Sequence, residues 1–220
     1  MQAEPTPSRA TEQRRVEAAH YALLRRLAFA MRHHLVVHLQ PIGMITEVME
    51  RRLESGTADV EQILQSMGKV NGHARAAVQS SLDVVSWLAP ENGVAVGAGE
   101  AVRECLGLLR SSFNFRGFTL KDDVGNPSRQ VSRTAMRSVL PACLLSLTDR
   151  AASPADLLVS ARDSGPQFEL TVELRPGEGL PGYAGDAPYR VLEWQDVQAL
   201  AQAQGVALER QGDRVRLAFS

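Results

Sequence analysis

The sequence has few cysteines, no excess of charge of either sign and no long apolar run. Its two cysteines, Cys105 and Cys143, form no CxxC pair, which excludes a disulfide scaffold and a zinc ribbon. The 24 basic and 25 acidic side chains give a net charge of −1, so the overall field indicates neither nucleic-acid binding nor an acidic substrate. No segment reaches the roughly 18 to 20 apolar residues of a membrane span. We therefore expect a soluble cytoplasmic protein without nucleic-acid or membrane partners.

Two long amphipathic helices are predicted for the first part of the chain. They follow a polar lead-in, residues 1–11, that contains two prolines and that we expect to be disordered. Apolar residues at steps of three and four predict a helix over Glu12–Glu54 and a second helix of about 30 residues that ends near Leu88.

A tight turn joins the two predicted helices. Gly56 suits the left-handed position after a helix, and Thr57 suits the cap of the next one. Residues 12–90 are therefore predicted to form a helical hairpin. One hairpin cannot cover two continuous apolar stripes, so we expect a homodimer in which two hairpins form a four-helix bundle.

The rest of the chain, residues 100–220, mixes helices and strands. The pattern predicts helices at 101–115, 132–151 and 193–204, and strands at 118–124, 157–161, 167–174, 206–209 and 214–219. The segment Asp163–Pro166 has the composition of a hairpin turn, and glycines and prolines in 175–188 predict a loop. Helices on one face of a mixed sheet form an α/β sandwich, so the predicted fold class of the chain is α+β.

The first helix carries three histidines close together. His33 falls about 200° away from Leu35 on a helix of 3.6 residues per turn, so it should face water. Around it on the surface we place Arg32, Val36, Val37 and Gln40.

His34 and His38 form an i, i+4 pair at the edge of the buried stripe. Such a pair can bind zinc, but no third ligand or nearby carboxylate accompanies it, so we predict no metal site. The arginine pairs Arg14–Arg15, Arg25–Arg26 and Arg51–Arg52 are interpreted as solvated helix faces.

The order of these elements resembles the two-domain core of sensor histidine kinases, in which a dimerising helical hairpin precedes a nucleotide-binding sandwich of the GHKL ATPase type. The family motif has a phosphoacceptor histidine with apolar residues at helical spacing. His33, Leu35, Leu39 and Ile42 match it. His34 departs from it, because the family has an acidic residue there.

The nucleotide-binding residues of that family are altered in this chain. Ser146 and Asp149 stand where the resemblance places asparagines, and Asp149 can only partly replace an asparagine as a magnesium ligand. The segment 171–180 is similar to the first glycine box through Gly177 and Gly179. Arg175 occupies the position of the adenine-binding aspartate, and a guanidinium cannot accept the same hydrogen bond. A second glycine-rich motif is absent, since Gly182 and Gly185 lie among prolines and tyrosines.

The family outline without a nucleotide site resembles the dimeric histidine phosphotransferases. This resemblance implies that His33 passes a phosphoryl group between the aspartates of response-regulator receiver domains. It also implies that the receiver supplies Mg²⁺, that the chain has no cofactor of its own, and that Arg32 steadies the phosphoryl oxygens. The residues expected to contact the receiver or its phosphoryl group are Arg32, His34, Val36, Val37 and Gln40.

Three alternatives stay open. The chain can be a divergent kinase that still uses ATP, or a non-catalytic pseudokinase that binds a response regulator. His33 can also be a surface histidine without a role.

Overall fold

The computed structural model describes residues 9–89, 93–164, 167–183 and 189–220, which belong to two compact units. One unit is residues 30–90; the other combines residues 1–29 with 91–220. The boundary falls inside the first helix, α1, which spans Arg9–Glu54. Most of the predicted lead-in, residues 1–8, lies outside the described residues, and residues 9–11 begin α1.

Residues 30–90, which we call the hairpin unit, contain the second part of α1 and the whole of α2, Val60–Leu88. Gly56 lies between them with a φ of +67°, as predicted, because a left-handed residue ends the first helix. The predicted cap at Thr57 is wrong. Asp59 precedes α2 instead, and its carboxylate accepts a hydrogen bond from the backbone N–H of Glu61 at 3.3 Å. The Thr57 hydroxyl is paired with that of Ser55, 2.7 Å away.

Many large apolar side chains of the hairpin unit are exposed in the single chain. On α2 they form two groups, one near each end of the helix. Within each group the side chains recur at steps of three and four, which places them on one face of the helix. They are Val60, Leu64 and Met67 near its start and Val78, Leu82, Val85 and Leu88 near its end. We call this set the α2 stripe.

We call the other unit the sandwich unit. Along the chain its further elements are β1 Ala95–Gly97, α3 Ala98–Phe115, β2 Phe118–Asp123, β3 Gln130–Ser132, α4 Arg133–Thr148, β4 Ala155–Ser164, β5 Gln167–Pro176, α5 Trp194–Ala203, β6 Ala207–Gln211 and β7 Arg214–Phe219. Five strands form its main sheet, in the order β2-β4-β5-β7-β6. Strands β2 and β4 are parallel and the other neighbours antiparallel. A second sheet pairs β1 with β3, two short strands that the sequence pattern did not predict.

The fold class is α+β, as predicted, although several boundaries differ. The β4–β5 hairpin is confirmed by its register, which runs to Ser164 opposite Gln167; the turn residues 165–166 lie outside the described residues. Strand β5 continues to Pro176, into the predicted loop, because it pairs with the start of β4. Helix α4 ends at Thr148, three residues before the predicted end at 151, and Asp149 caps it by donating its backbone N–H to the carbonyl of Leu145.

Alternate residues of the main sheet point into the core of the sandwich unit. Leu157 and Val159 on β4, Leu170 and Val172 on β5, and Val215 and Leu217 on β7 are fully buried. Their neighbours along each strand are mostly polar and partly exposed. One face of the sheet therefore packs on the helices and the other faces water.

The first turns of α1 belong to the sandwich unit and pack on it. Ala19, Ala22, Leu23 and Leu27 are fully buried, which is the spacing of one helix face. At the rim, Arg15 donates to the side chain of Gln195 on α5 at 3.2 Å. Among the described residues, no helix is long and apolar enough to cross a membrane.

Candidate functional site

His33 is exposed on α1 of the hairpin unit, as predicted. Val36 and Val37 follow it by three and four residues, so they share its face of the helix, and 43% and 42% of their surfaces are accessible. Gln40, one turn further, and Arg32, beside His33, are exposed as well. The surface around the imidazole is therefore open and partly apolar; the roles predicted for these residues are not tested by the structure.

The other two histidines of the cluster differ from His33 in burial. His34 and His38 are half-buried, which agrees with a position at the edge of the stripe. Among the residues that the structure describes, no group of three His, Cys, Asp or Glu side chains comes close enough to hold a metal ion.

Asp149, which the resemblance places at the nucleotide site, is buried in the sandwich unit and fully engaged. Arg26 of α1 binds its carboxylate through two hydrogen bonds of 2.5 and 2.6 Å, and the side chains of the two residues are 4% and 2% exposed. Arg116 donates to Oδ1 at 3.1 Å, and the backbone N–H of Leu192 donates to Oδ2 at 3.3 Å.

These contacts leave Asp149 little capacity for a magnesium ion. An ionised carboxylate has about four lone-pair positions, and four donors already point at this one. Two guanidinium groups at the same carboxylate would also repel a divalent cation. We name Arg26, Arg116 and Asp149 the buried charge cluster.

Arg116 is the more exposed arginine of the buried charge cluster. Partial burial lowers the pKa of Arg116, attraction to Asp149 opposes that change, and repulsion from Arg26 adds to it. Its guanidinium also donates to the hydroxyl and carbonyl oxygens of Thr148, at 3.3 and 3.2 Å, and lies over the ring of Phe118. The end of α4 is thus held by a cation as well as by its last backbone hydrogen bonds.

Ser146, the other residue at an asparagine position, lies on α4 in the core. Only 1% of its surface is accessible, and its hydroxyl has no hydrogen-bond partner among the described residues. A side chain in this position is not open to a ligand from solution.

The segment similar to a first glycine box lies at the end of β5. Arg175 is exposed, and its guanidinium binds the carboxylate of Glu173 through two hydrogen bonds of 2.9 Å. These bonds lower the pKa of Glu173. Gly177 packs on the start of β4, where an added Cβ would lie 3.0 Å from the backbone of Ala155, whereas Gly179 has open space around it.

The described part of the following loop is held against the turn between α3 and β2. Tyr183 donates its backbone N–H to the carbonyl of Phe115 at 3.0 Å, and Gly182 donates to the Ser153 hydroxyl at 3.2 Å. An added Cβ on Gly182 would lie 1.9 Å from the carbonyl carbon of Arg116. Gly182 therefore permits a close approach of two backbone segments. Gly185 lies outside the described residues.

We expect Gly182→Ala to destabilise the sandwich unit by about 1–3 kcal/mol, because the new methyl group forces two backbone segments apart. Urea unfolding followed by circular dichroism measures this loss. The matched control is Gly107→Ala on α3, where an added Cβ meets nothing within 4 Å. Alanine is favoured over glycine in a helix by roughly 1 kcal/mol, so this control should gain stability. If Gly182→Ala unfolds at the same urea concentration as the wild type, the close approach of the two backbone segments is contradicted.

The two cysteines lie in the core and are not nucleophiles. Burial raises the pKa of Cys143 to about 12 and also raises that of Cys105. At neutral pH both remain thiols, which are poor nucleophiles.

Sequence patterns missed two of the three residues of the buried charge cluster. Arg26 was interpreted as part of a solvated face, and this is wrong, because it is buried and paired with Asp149. One signal was available. Arg26 follows Leu23 by three residues and precedes Ala30 by four, which places it on the buried stripe of α1.

Comparison with known proteins gives structural likeness alone. No family model matches the sequence, and no curated protein matches it. The solved structures that it resembles include histidine kinases and a phosphotransferase.

The likeness is distant in each case. A histidine kinase from Burkholderia phymatum is 16% identical over 97% of both chains, with a TM-score of 0.43. A structure described as a bacterial phosphotransferase is 18% identical over 98% of both chains, with a TM-score of 0.38. The histidine kinase ThkA, in complex with the response regulator protein TrrA, is 15% identical over 88% of this chain and 59% of that one, with a TM-score of 0.42.

Proposed function

We propose that the protein is a histidine phosphotransferase of a two-component phosphorelay, with His33 as the phosphoryl carrier. The observation that carries the proposal is the exposed imidazole of His33 on a long helix, with Val36 and Val37 beside it. An incoming protein domain can bury these two valines as it brings its own phosphoryl group to the ring.

The proposed reaction is an exchange between two carriers. The lone pair of a neutral ring nitrogen forms a nitrogen–phosphorus bond as the bond between phosphorus and the aspartyl oxygen of a receiver breaks. The aspartate leaves as a carboxylate and takes the bonding pair. In the next step, a carboxylate of a second receiver attacks the phosphohistidine and restores the free imidazole.

For this reaction the chain has only to position the imidazole and to place positive charge near the phosphoryl group. Phosphoryl transfer is accelerated mainly by alignment and by stabilisation of the phosphoryl oxygens. We propose that Arg32 contributes positive charge at those oxygens and that the receiver supplies Mg²⁺. Because an acyl phosphate is already activated, the acidic residue that kinases carry at the position of His34 is not required.

Two alternatives make different predictions. An ATP-dependent kinase needs a site for Mg²⁺ and adenine, whereas here Asp149 is bound by Arg26 and Arg116 and Arg175 is bound to Glu173. The kinase alternative therefore predicts labelling from ATP, which our proposal does not. A pseudokinase that only binds receivers predicts receiver binding without any transfer.

The test is a transfer assay with the full chain. Receiver domains encoded in the same genome are labelled on aspartate with radioactive phosphate, purified and mixed with the protein. We expect label on the protein within seconds to minutes, in a form that resists alkali and is lost in acid, as expected for phosphohistidine. Binding of the receivers without label on the protein would refute the proposal.

We also propose that the protein is a homodimer through its hairpin unit. The α2 stripe exposes apolar side chains on one face of α2, from Val60 to Met67 and again from Val78 to Leu88. Exposed apolar surface of this kind marks an interface, and a second hairpin is an occupant of matching shape and length.

We expect Leu64→Glu to weaken this dimer by at least about tenfold, because a buried carboxylate without a partner costs several kcal/mol. Sedimentation analysis over a concentration series measures the change. The matched control is Gln65→Glu, which adds the same charge one residue away on an exposed position outside the α2 stripe. A wild-type chain that sediments as a monomer at every concentration would contradict the dimer.

A further inference from the structure

A surface cleft of about 370 Å³ opens at one end of the sandwich unit. It lies where the loop after α4 meets the start of β4, the end of β5 and the turn between β6 and β7. Arg150, Arg175 and Arg210 line it together with Asp213, Leu147 and Leu174. We call it the basic cleft. Its volume is within the range of about 300–1,000 Å³ that is typical of small-molecule sites.

The three arginines of the basic cleft keep unused hydrogen-bond donors. Glu173 engages Nε and Nη2 of Arg175, and the carbonyl of Gly212 engages Nε of Arg210. Arg150 has an ion pair of 3.6 Å with Glu193 through Nη2. Each guanidinium carries five N–H groups, and these contacts leave both Nη atoms of Arg210 and Nη1 of the other two without a hydrogen-bond acceptor among the described residues. The guanidinium of Arg210 also lies over the ring of Trp194, 5.0 Å from its centroid, which leaves its Nη donors available to an acceptor.

Among the described residues that line the basic cleft, Asp213 is the one carboxylate, against three arginines. The two carboxylates that pair with these arginines from outside the lining, Glu173 and Glu193, do not hold them tightly. The side chains of Arg150 and Glu193 are 56% and 57% exposed, and Arg175 is 55% exposed. Ion pairs between exposed side chains are screened by water and contribute little. An anion with two charges can therefore compete for the guanidinium groups, which bind phosphate oxygens in a planar, two-pronged geometry.

The wall of the basic cleft is partly apolar. Leu174 and Pro176, from β5, and Pro154, just before β4, line it beside the arginines, and all three are at least partly exposed. A purely inorganic anion would leave this surface uncovered. A ligand that combines a phosphate group with a compact apolar or aromatic body would cover it.

We propose that the basic cleft binds a small organic phosphate of this kind. The arginines hold the phosphate group, and Leu174 and the two prolines contact the uncharged part. The site consists of residues of the sandwich unit, whereas His33 belongs to the hairpin unit, and it does not depend on the proposed phosphoryl transfer. It also differs from a nucleotide site of the kinase type, because it uses Arg175 as a phosphate ligand and leaves Asp149 in the buried charge cluster.

The test uses the full chain and two probes, phenyl phosphate and inorganic phosphate, in calorimetric titrations at low ionic strength. We expect saturable binding of phenyl phosphate, at least about tenfold tighter than that of inorganic phosphate. Arg175→Gln and Arg150→Gln should each weaken phenyl phosphate about tenfold, since each removes a charge-assisted hydrogen bond. Both arginines are exposed, so the variants should unfold at the same denaturant concentration as the wild type.

The matched control is Arg162→Gln, which removes an exposed arginine from β4 outside the cleft. It should bind phenyl phosphate like the wild type. No saturable heat with the wild type, equal affinity for the two probes, or an equal loss in Arg162→Gln would each overturn the proposal.

Discussion

Replacing His33 with glutamine should reduce phosphoryl transfer from a labelled receiver to the background of the assay. The imidazole nitrogen is the atom that forms the bond to phosphorus in the proposed reaction, and the amide of glutamine is not a nucleophile. Because His33 is exposed, the substitution should change the free energy of unfolding by less than about 0.5 kcal/mol. The loss is therefore expected in transfer alone.

The neighbouring histidines provide matched controls for this experiment. His34→Gln and His38→Gln make the same chemical change one and five residues along α1, at half-buried positions. Both variants should accept label, because they keep the imidazole of His33. Full labelling of His33→Gln, or loss of label only in one of the two controls, would assign the carrier role to another residue. Receiver binding that persists in His33→Gln would show that docking and transfer are separable.

Asp149→Ala should destabilise the sandwich unit by about 3–5 kcal/mol, the usual cost of removing one partner from a buried ion pair. The substitution leaves the guanidinium of Arg26 buried without its carboxylate and also removes a hydrogen bond from Arg116. It further leaves the backbone N–H of Leu192 without its acceptor. Such a loss is a large part of the roughly 5–15 kcal/mol that stabilises a typical domain.

Asp156→Ala is the matched control for the buried charge cluster. Asp156 binds Lys121 at 2.6 Å, a distance close to that between Arg26 and Asp149, but on the exposed face of the sheet. An exposed pair contributes about 0–1 kcal/mol. Because the two ion pairs have similar lengths, the difference in free energy of unfolding between the two variants, measured in urea, reports the effect of burial. Equal losses would mean that the buried charge cluster contributes no more than a surface ion pair.

The parts of the fold that the sequence predicted are those with local patterns. Helical periodicity predicted α1 and α2, and alternation predicted most strands of the main sheet. The left-handed turn at Gly56 depends only on neighbouring residues, and it was found. Strands β1 and β3 have three residues each, too few for a pattern, and they exist because they pair with each other across the chain.

The parts that the sequence did not predict depend on distant residues meeting. The pair Arg26 and Asp149 is separated by 123 residues along the chain, and nothing near either residue marks the other as its partner. The close approach of Gly182 to Gly117 is likewise visible only in three dimensions. At the candidate site, helical geometry sufficed to predict the exposure of His33. The binding of Asp149 by two arginines could be seen only in the structure.

The docking of the first turns of α1 has a consequence for how the chain can be divided. A fragment that starts at residue 91 would contain every strand of the main sheet, yet it would lack Leu23, Arg26 and Leu27. Apolar surface on the remaining helices would then face water, and the acidic group at the end of α4 would lose its principal counter-ion. The sequence pattern alone places the domain boundary near residue 91. A cut at that position would therefore remove part of the core of the sandwich unit and not only a linker.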